Sequence, residues 1–263
     1  MKRILFVGAA LLAFISAASA ADLPPRYPAP VPAAAPVAVP YTWTGFYVGG
    51  AFGYGLWNMD TSFVLPTAGG FTSSPLTNGG RGWVGQVVAG YDYQFAVYNF
   101  NLVAGVFGDY SFGNMKGNLD TATAITNTFG TIGGVEKERS YWDVGARIGY
   151  LVTPQILSYW NGGYTQARFD GMNFIGFGLG APGPMSTSAN TYHGWFTGGG
   201  VETQVTSIPG LFFNTEYRYA SYSSATLPIT GSTAVFGGPV SLKLEPRVQT
   251  VMSGVRYKFN WPH

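Results

Sequence analysis

From Thr44 onward the chain alternates, with aromatic or aliphatic residues at every second position and small or polar residues between them. In the first such run Phe46, Val48, Gly50, Phe52, Tyr54 and Leu56 share one parity, and Tyr47, Gly49, Ala51, Gly53 and Gly55 the other. Successive side chains of an extended strand point to opposite faces, so a period of two predicts half-buried strands. The pattern returns over residues 83–95, 102–112, 142–150, 156–169, 192–205, 211–220 and 247–259, which makes eight strands. The facing of 156–169 stays open, because Leu157, Tyr159 and Phe169 compete with Ile156, Trp160 and Tyr164 for the apolar side. No segment reads as a long amphipathic helix.

The connections alternate in length. Residues 57–80, 113–138, 170–190 and 221–245 are long and rich in Gly, Ser, Thr and Asn, whereas 96–100, 153–155 and 206–210 are short. This is the layout of an all-β, eight-stranded antiparallel up-and-down transmembrane β-barrel, with long extracellular loops and short periplasmic turns. A β-sandwich has no need of such alternation. The long loops are expected to lie outside the cell, with isolated aromatics such as Phe71, Phe129, Phe174 and Phe236 available for surface contact.

A closed eight-stranded ladder can be soluble, with an apolar interior, or membrane-bound, with the apolar face outward. Only 10% of the 263 residues are charged, against about 25% in an ordinary soluble domain. The face opposite the aromatics carries Gln86, Asp92, Asp109, Asp143, Arg147, Glu202, Glu216, Arg218, Arg256 and Lys258. Trp83, Phe95, Phe112, Trp142, Tyr150, Trp195, Tyr219 and Phe259 stand near strand ends, where interfacial girdles belong. The membrane solution follows, with the apolar face toward lipid.

The chain start agrees. Lys2 and Arg3 precede an apolar stretch from Ile4 to Ile15, and Ala18-Ser19-Ala20 is a small-residue cleavage site, so residues 1–20 read as a signal peptide. The apolar run is shorter than the ~20 residues a spanning helix needs. Residues 21–41 form a Pro- and Ala-rich leader of polyproline type, and residues 42–261 the barrel. Loss of residues 1–20 leaves 12 basic and 12 acidic residues. A neutral chain has no basic footprint for nucleic acid. With no cysteine, thiolate metal sites and disulfide frameworks are excluded.

The inward charges mark the candidate site. Glu202 and Glu216 straddle the turn near Ile208 and lie roughly opposite across one hairpin, so they need cations, and Arg218, Arg147 and Arg256 are within reach. The cluster can be a structural salt-bridge core or a charge-selective constriction. An eight-stranded barrel is only just wide enough for side chains, which favours the core.

Several motifs resemble a known group. The start Ala21-Asp22-Leu23-Pro24 and the proline-rich leader are followed by Trp43-Thr44-Gly45-Phe46-Tyr47-Val48-Gly49-Gly50. Further along stand Gly194-Trp195-Phe196-Thr197-Gly198-Gly199-Gly200-Val201-Glu202, then Glu216-Tyr217-Arg218-Tyr219, then Gly254-Val255-Arg256-Tyr257-Lys258-Phe259-Asn260-Trp261. In this order they resemble the alphaproteobacterial outer-membrane immunogenic protein, or porin-like, family, within the OmpA-type small-barrel superfamily. The resemblance implies a surface antigen of the Gram-negative cell envelope, localised to the outer membrane. It implies contact with outer-membrane lipid and lipopolysaccharide, and with the assembly machinery through the C-terminal strand, where Tyr257, Phe259 and Trp261 would be the signal aromatics. It leaves the oligomeric state open. Members have roles in envelope integrity, with porin-like passage proposed for some and haem binding for others, and share no catalytic residues. This chain departs from the pattern by ending on Pro262 and His263.

Other chemistry finds little support. His193 stands at a strand mouth beside Tyr192 and Trp195, and a rim histidine could ligate haem, but it has no second ligand in the pattern. No serine is placed by spacing to make a hydrolase with it. Gly176-x-Gly178-x-Gly180 and Gly198-Gly199-Gly200 precede no helix and are not nucleotide loops. The sequence thus predicts a non-enzymatic barrel without cofactor or metal, with a structural and surface role. The alternatives are a small porin-like diffusion channel, or a haem- or ligand-binding surface receptor.

Overall fold

A computed structural model describes residues 42–65, 71–72, 75–120, 132–176, 183–233 and 238–259. The expected signal peptide, the leader, Phe129, Phe236, Trp261, Pro262 and His263 lie outside the described residues. Eight long strands form the wall: β1 (Gly45–Leu65), β2 (Leu76–Val97), β3 (Phe100–Asp120), β4 (Ile132–Thr153), β5 (Ile156–Phe169), β6 (Asn190–Gln204), β7 (Leu211–Tyr222) and β8 (Ser241–Phe259). Each pairs antiparallel with the next, and β8 pairs with β1 from Phe46↔Phe259 to Val64↔Ser241. Full closure leaves no open edge in the wall.

The register fixes the barrel's proportions. One row of partners runs Phe46, Tyr91, Val106, Ala146, Gly162, Thr197, Tyr219, Gln249 and returns to β1 at Leu56. The return lands ten residues beyond its start. A stagger of that size requires strongly tilted strands, typically about 35–45° from the barrel axis.

The outer face divides into zones. On β1 the exposed apolar residues run from Phe46 to Leu56, on β3 from Phe100 to Phe112, on β4 from Trp142 to Val152, and on β8 from Val251 to Phe259. A tilted strand needs about 9–11 residues to cross the hydrocarbon layer. Aromatics ring both edges. Tyr93, Phe100, Tyr150, Tyr257 and Phe259 stand at the base, beside the short turns, and Trp83, Phe112, Trp142, Tyr164 and Trp195 at the upper edge. The run 156–169 now has a definite facing: Leu157, Tyr159 and Phe169 are buried inside, and Trp160 and Tyr164 point out.

The long connections differ from expectation. Much of 57–80 and 113–138 is wall, because β1, β2, β3 and β4 are 21 or 22 residues long. Short strands fill out the rest: Asn173–Gly176 extends the sheet from β4 and pairs with Gly183–Ser186, and Ala225–Pro228 pairs with β8. Above Leu56 the pattern reverses: Trp57, Met59 and Phe63 are buried, while Asn58 is exposed and Asp60 and Ser62 are partly so. On β8 Leu242, Leu244 and Val248 are inside, whereas Val251, Val255 and Tyr257 are outside. The ladder does not slip at either crossover; the apolar residues change parity. In lipid the wall turns its apolar side outward; beyond it, water returns the apolar side to the interior.

Candidate functional site

The inward faces of β2, β3, β4, β6, β7 and β8 converge on one buried ion network at the level of the lipid band. In the lower part Lys258 Nζ reaches Asp92 Oδ2 at 2.6 Å and Glu202 Oε1 at 3.4 Å. Arg147 spans the same acids: its Nε donates to Asp92 Oδ1 at 2.8 Å, its Nη2 also pairs with Asp92, and its Nη1 lies 2.8 Å from Glu202 Oε2. Arg256 links the levels, 2.7 Å from Glu202 and 3.4 Å from Glu216.

In the upper part Arg218 serves three carboxylates. Its Nε and Nη2 donate to Glu216 Oε1 at 3.0 and 2.6 Å, and its Nη1 lies 2.9 Å from Asp109 and also pairs with Asp143. Asp109 and Asp143 are direct cross-strand partners. Two like charges so placed repel, and the shared guanidinium offsets that. Tyr159 adds a hydrogen bond to Glu216 at 2.8 Å.

Aromatic rings pack against the cations. Arg147 and Arg256 lie over Tyr47 and Tyr159, and Arg218 lies 4.6 Å from the Phe196 ring centre. Lys258 sits 4.5 Å from the ring of Trp43. Such contacts contribute about 2 kcal/mol where water is excluded. Small residues make room: a side chain on Gly49 would meet Arg256 Cγ at 2.8 Å.

The network is enclosed from both ends. Below it Trp43 tucks under the barrel, its indole N–H donating to Pro154 O at 3.1 Å and its backbone N–H to Gln94 Oε1 at 2.9 Å. Trp43 packs with Val103, Leu151, Leu157, Tyr159 and Phe212. Above it lies the larger apolar cluster that includes Trp57, Met59, Phe63, Met115, Phe169 and Leu244.

The five residues expected in the lumen, Arg147, Glu202, Glu216, Arg218 and Arg256, therefore meet in one place. One expectation needs correction: Glu202 faces Asn214 and Glu216 faces Gly200, so the two acids are offset by two residues rather than opposed. The strand pairing continues to the turn with Gly210 at φ 83°, a left-handed position that suits glycine. Asp92, Asp109, Asp143 and Lys258 complete the network. Their inward parity was visible in the sequence; which acid meets which base depends on the stagger.

The remaining candidates lie elsewhere. Tyr257 and Phe259 are on the outer face of the base, with ring centres 5.1 Å apart. His193 is on the outer wall, its Nδ1 2.5 Å from the Tyr164 hydroxyl. Among the described residues no group of three or more His, Cys, Asp and Glu side chains is arranged to hold a metal ion.

Comparison with known proteins decides the relationship. No family model matches the chain. It is 29% identical over 260 residues to the 25 kDa outer-membrane immunogenic protein of Brucella canis, covering 98% of this chain and 99% of that one. It is 27% identical over 262 residues to the 31 kDa outer-membrane immunogenic protein of Brucella melitensis, covering 98% and 100%. The chain is homologous to these outer-membrane immunogenic proteins. The outer-membrane protein OprG of Pseudomonas aeruginosa matches in structure with a TM-score of 0.51 at 12% identity, over 85% of this chain and all of that one. At that identity the likeness bears on the fold, a closed antiparallel barrel. Sequence similarity and fold together place this chain in the outer membrane as a β-barrel.

Proposed function

We propose that this protein is a non-catalytic structural component of the cell envelope, displaying its upper barrel at the surface and keeping its lumen closed. The observation that carries the reading is the luminal network: nine charged side chains engage one another between the Trp43 cluster and the upper apolar cluster. A permeant ion would have to separate contacts such as Arg147 with Glu202 at 2.8 Å and Lys258 with Asp92 at 2.6 Å. Breaking a buried pair costs about 3–5 kcal/mol, so the network is a plug rather than a filter.

The upper end faces outward in this reading, because outer-membrane barrels keep short turns at the periplasmic end. The immunogenic character named for the Brucella relatives suits a barrel whose wall projects beyond the lipid. Conductance tests the proposal. The mature protein, refolded and inserted into planar bilayers, is expected to give no stepwise current across a range of salt concentrations. Steady steps that scale with salt and exclude larger solutes would establish a diffusion channel instead.

A further inference from the structure

The nine charged side chains of the luminal network are five acids and four bases. By count, Arg147 and Lys258 match Glu202 and Asp92, and Arg256 matches Glu216. Asp109 and Asp143 are then left to share one guanidinium, that of Arg218. The network carries one negative charge in surplus, and all five acids are buried. A buried charge without compensation is costly. Here the surplus falls where two carboxylates stand directly opposite each other across the ladder.

Both carboxylates meet Arg218 through Oδ2. Their Oδ1 atoms are shielded from solvent and have no hydrogen-bond partner among the described residues. The next inward row above them holds Ser111 on β3 and Tyr141 on β4, which are cross-strand partners as well. Ser111 is 0% exposed and Tyr141 5%. No hydrogen bond of good geometry joins the two hydroxyls, or ties either to another described group. Inward neighbours along one strand stand about 7 Å apart, and partners across the ladder about 5 Å. The four side chains therefore rise from the corners of one small rectangle of the inner wall, and each brings a buried oxygen without a partner. Such a set, all oxygen and half of it carboxylate, suits a hard cation rather than a transition metal. Among the described residues no third acid, histidine or cysteine joins them as a metal ligand, so the charge to be matched is one.

We propose that Asp109, Asp143, Ser111 and Tyr141 form a site for one alkali-metal cation, sodium or potassium, that neutralises the surplus charge of the lumen. Arg218 takes one oxygen of each carboxylate and the cation takes the other. The site lies at the top of the ion network, beneath the upper apolar cluster, so the ion is enclosed as the barrel closes around it. A conducting barrel would offer the same four oxygens, so this proposal and the closed lumen proposed above fail separately.

The test refolds the mature protein in non-ionic detergent with sodium chloride, potassium chloride or N-methylglucamine chloride at equal ionic strength, and reads the urea midpoint of each. The organic cation is too large for the site. Wild type should unfold about 0.5–1 M higher in at least one of the two alkali salts than in the organic one. Asp109→Asn removes the surplus charge and should erase that difference. Ser111→Ala keeps every charge, removes one oxygen and should at least halve it. Asp60→Asn, which removes an exposed acid of the upper wall, should leave it as in wild type. The altered gel migration of unboiled protein verifies that each variant is folded, and the wild-type comparison stands even where a variant fails to fold. Equal wild-type midpoints in all three salts would overturn the proposal, because a shared proton or water alone would then satisfy the two acids. A full difference retained in both Asp109→Asn and Ser111→Ala would also overturn it, by moving the cation elsewhere on the barrel.

Discussion

The barrel has two interiors with opposite chemistry. At the height of the lipid band the lumen holds Asp92, Arg147, Glu202, Arg218 and their partners, and the outer wall is apolar. Above it the lumen holds Trp57, Met59, Phe63, Leu242 and Leu244, while exposed contacts such as Arg247 with Asp60 lie outside. The same strands build both. The difference shows that the solvent beyond the wall, rather than the strand, decides which face is apolar. It also predicts that one kind of substitution has different consequences at the two levels.

The largest contrast concerns closure. β8 pairs with β1 across both levels, through Tyr257↔Val48 low in the wall and Leu244↔Thr61 high in it. Truncation after Gly254 removes the low pairs and spares the high ones. Unpaired backbone in lipid is not tolerated, so no assembled protein should be recovered from outer membranes. Removal of Pro262 and His263 alone should leave the yield unchanged. Normal assembly of the longer truncation would show that the upper ladder suffices to close the barrel.

Next comes the luminal network. Arg218→Met leaves Asp109 and Asp143 facing each other without their shared cation, and should cost about 3–5 kcal/mol. The urea midpoint of the detergent-folded protein measures it. Combining the change with Asp109→Asn and Asp143→Asn should recover much of the loss, since the repulsion is then removed. A wild-type midpoint for Arg218→Met alone would indicate a water-filled lumen.

A lysine placed on the outer wall probes the two levels directly. Val144→Lys lies in the lipid band and should cost about 2–4 kcal/mol in a bilayer. Asn58→Lys, outward but above the girdle, should cost no more than about 1 kcal/mol, the repulsion of the Arg247 that stands opposite it. Equal costs would mean that the girdle has been misplaced. The smallest effect is expected from Arg247→Gln, which breaks the exposed pair with Asp60: about 0–1 kcal/mol, declining as salt is raised.

This two-level construction explains what could be read in advance. Strands within the lipid band were legible because Phe46 through Leu56, or Leu102 through Phe112, keep one apolar parity. The crossover from Leu56 to Trp57 places two apolar residues side by side, interrupts the period and makes the continuation resemble a loop. Gly79, Gly80 and Gly82 on β2 strengthened that impression, although they lie within the ladder. The site was legible in part for a related reason. Parity identifies an inward charge, but the neighbours of Arg147 come from β2 and β6, strands distant in sequence. Only the ten-residue stagger brings Asp92 and Glu202 to the same guanidinium. The facing of 156–169 was illegible because both parities are apolar there: Tyr159 and Leu157 serve the lumen, Trp160 and Tyr164 the outside.

The pairing of Phe46 with Phe259 has a consequence for how the molecule forms. Its first strand waits for its last, and nearly the whole chain must be delivered before the seam can be sewn. Contacts so distant in sequence slow folding, because the entropy of gathering the intervening chain is lost before the contact repays it. Until that moment β1 and β8 each offer a row of unpaired backbone groups, ready for any other strand. The nascent barrel is therefore at its most vulnerable just before completion, and a chain that has lost its final dozen residues would remain in that state.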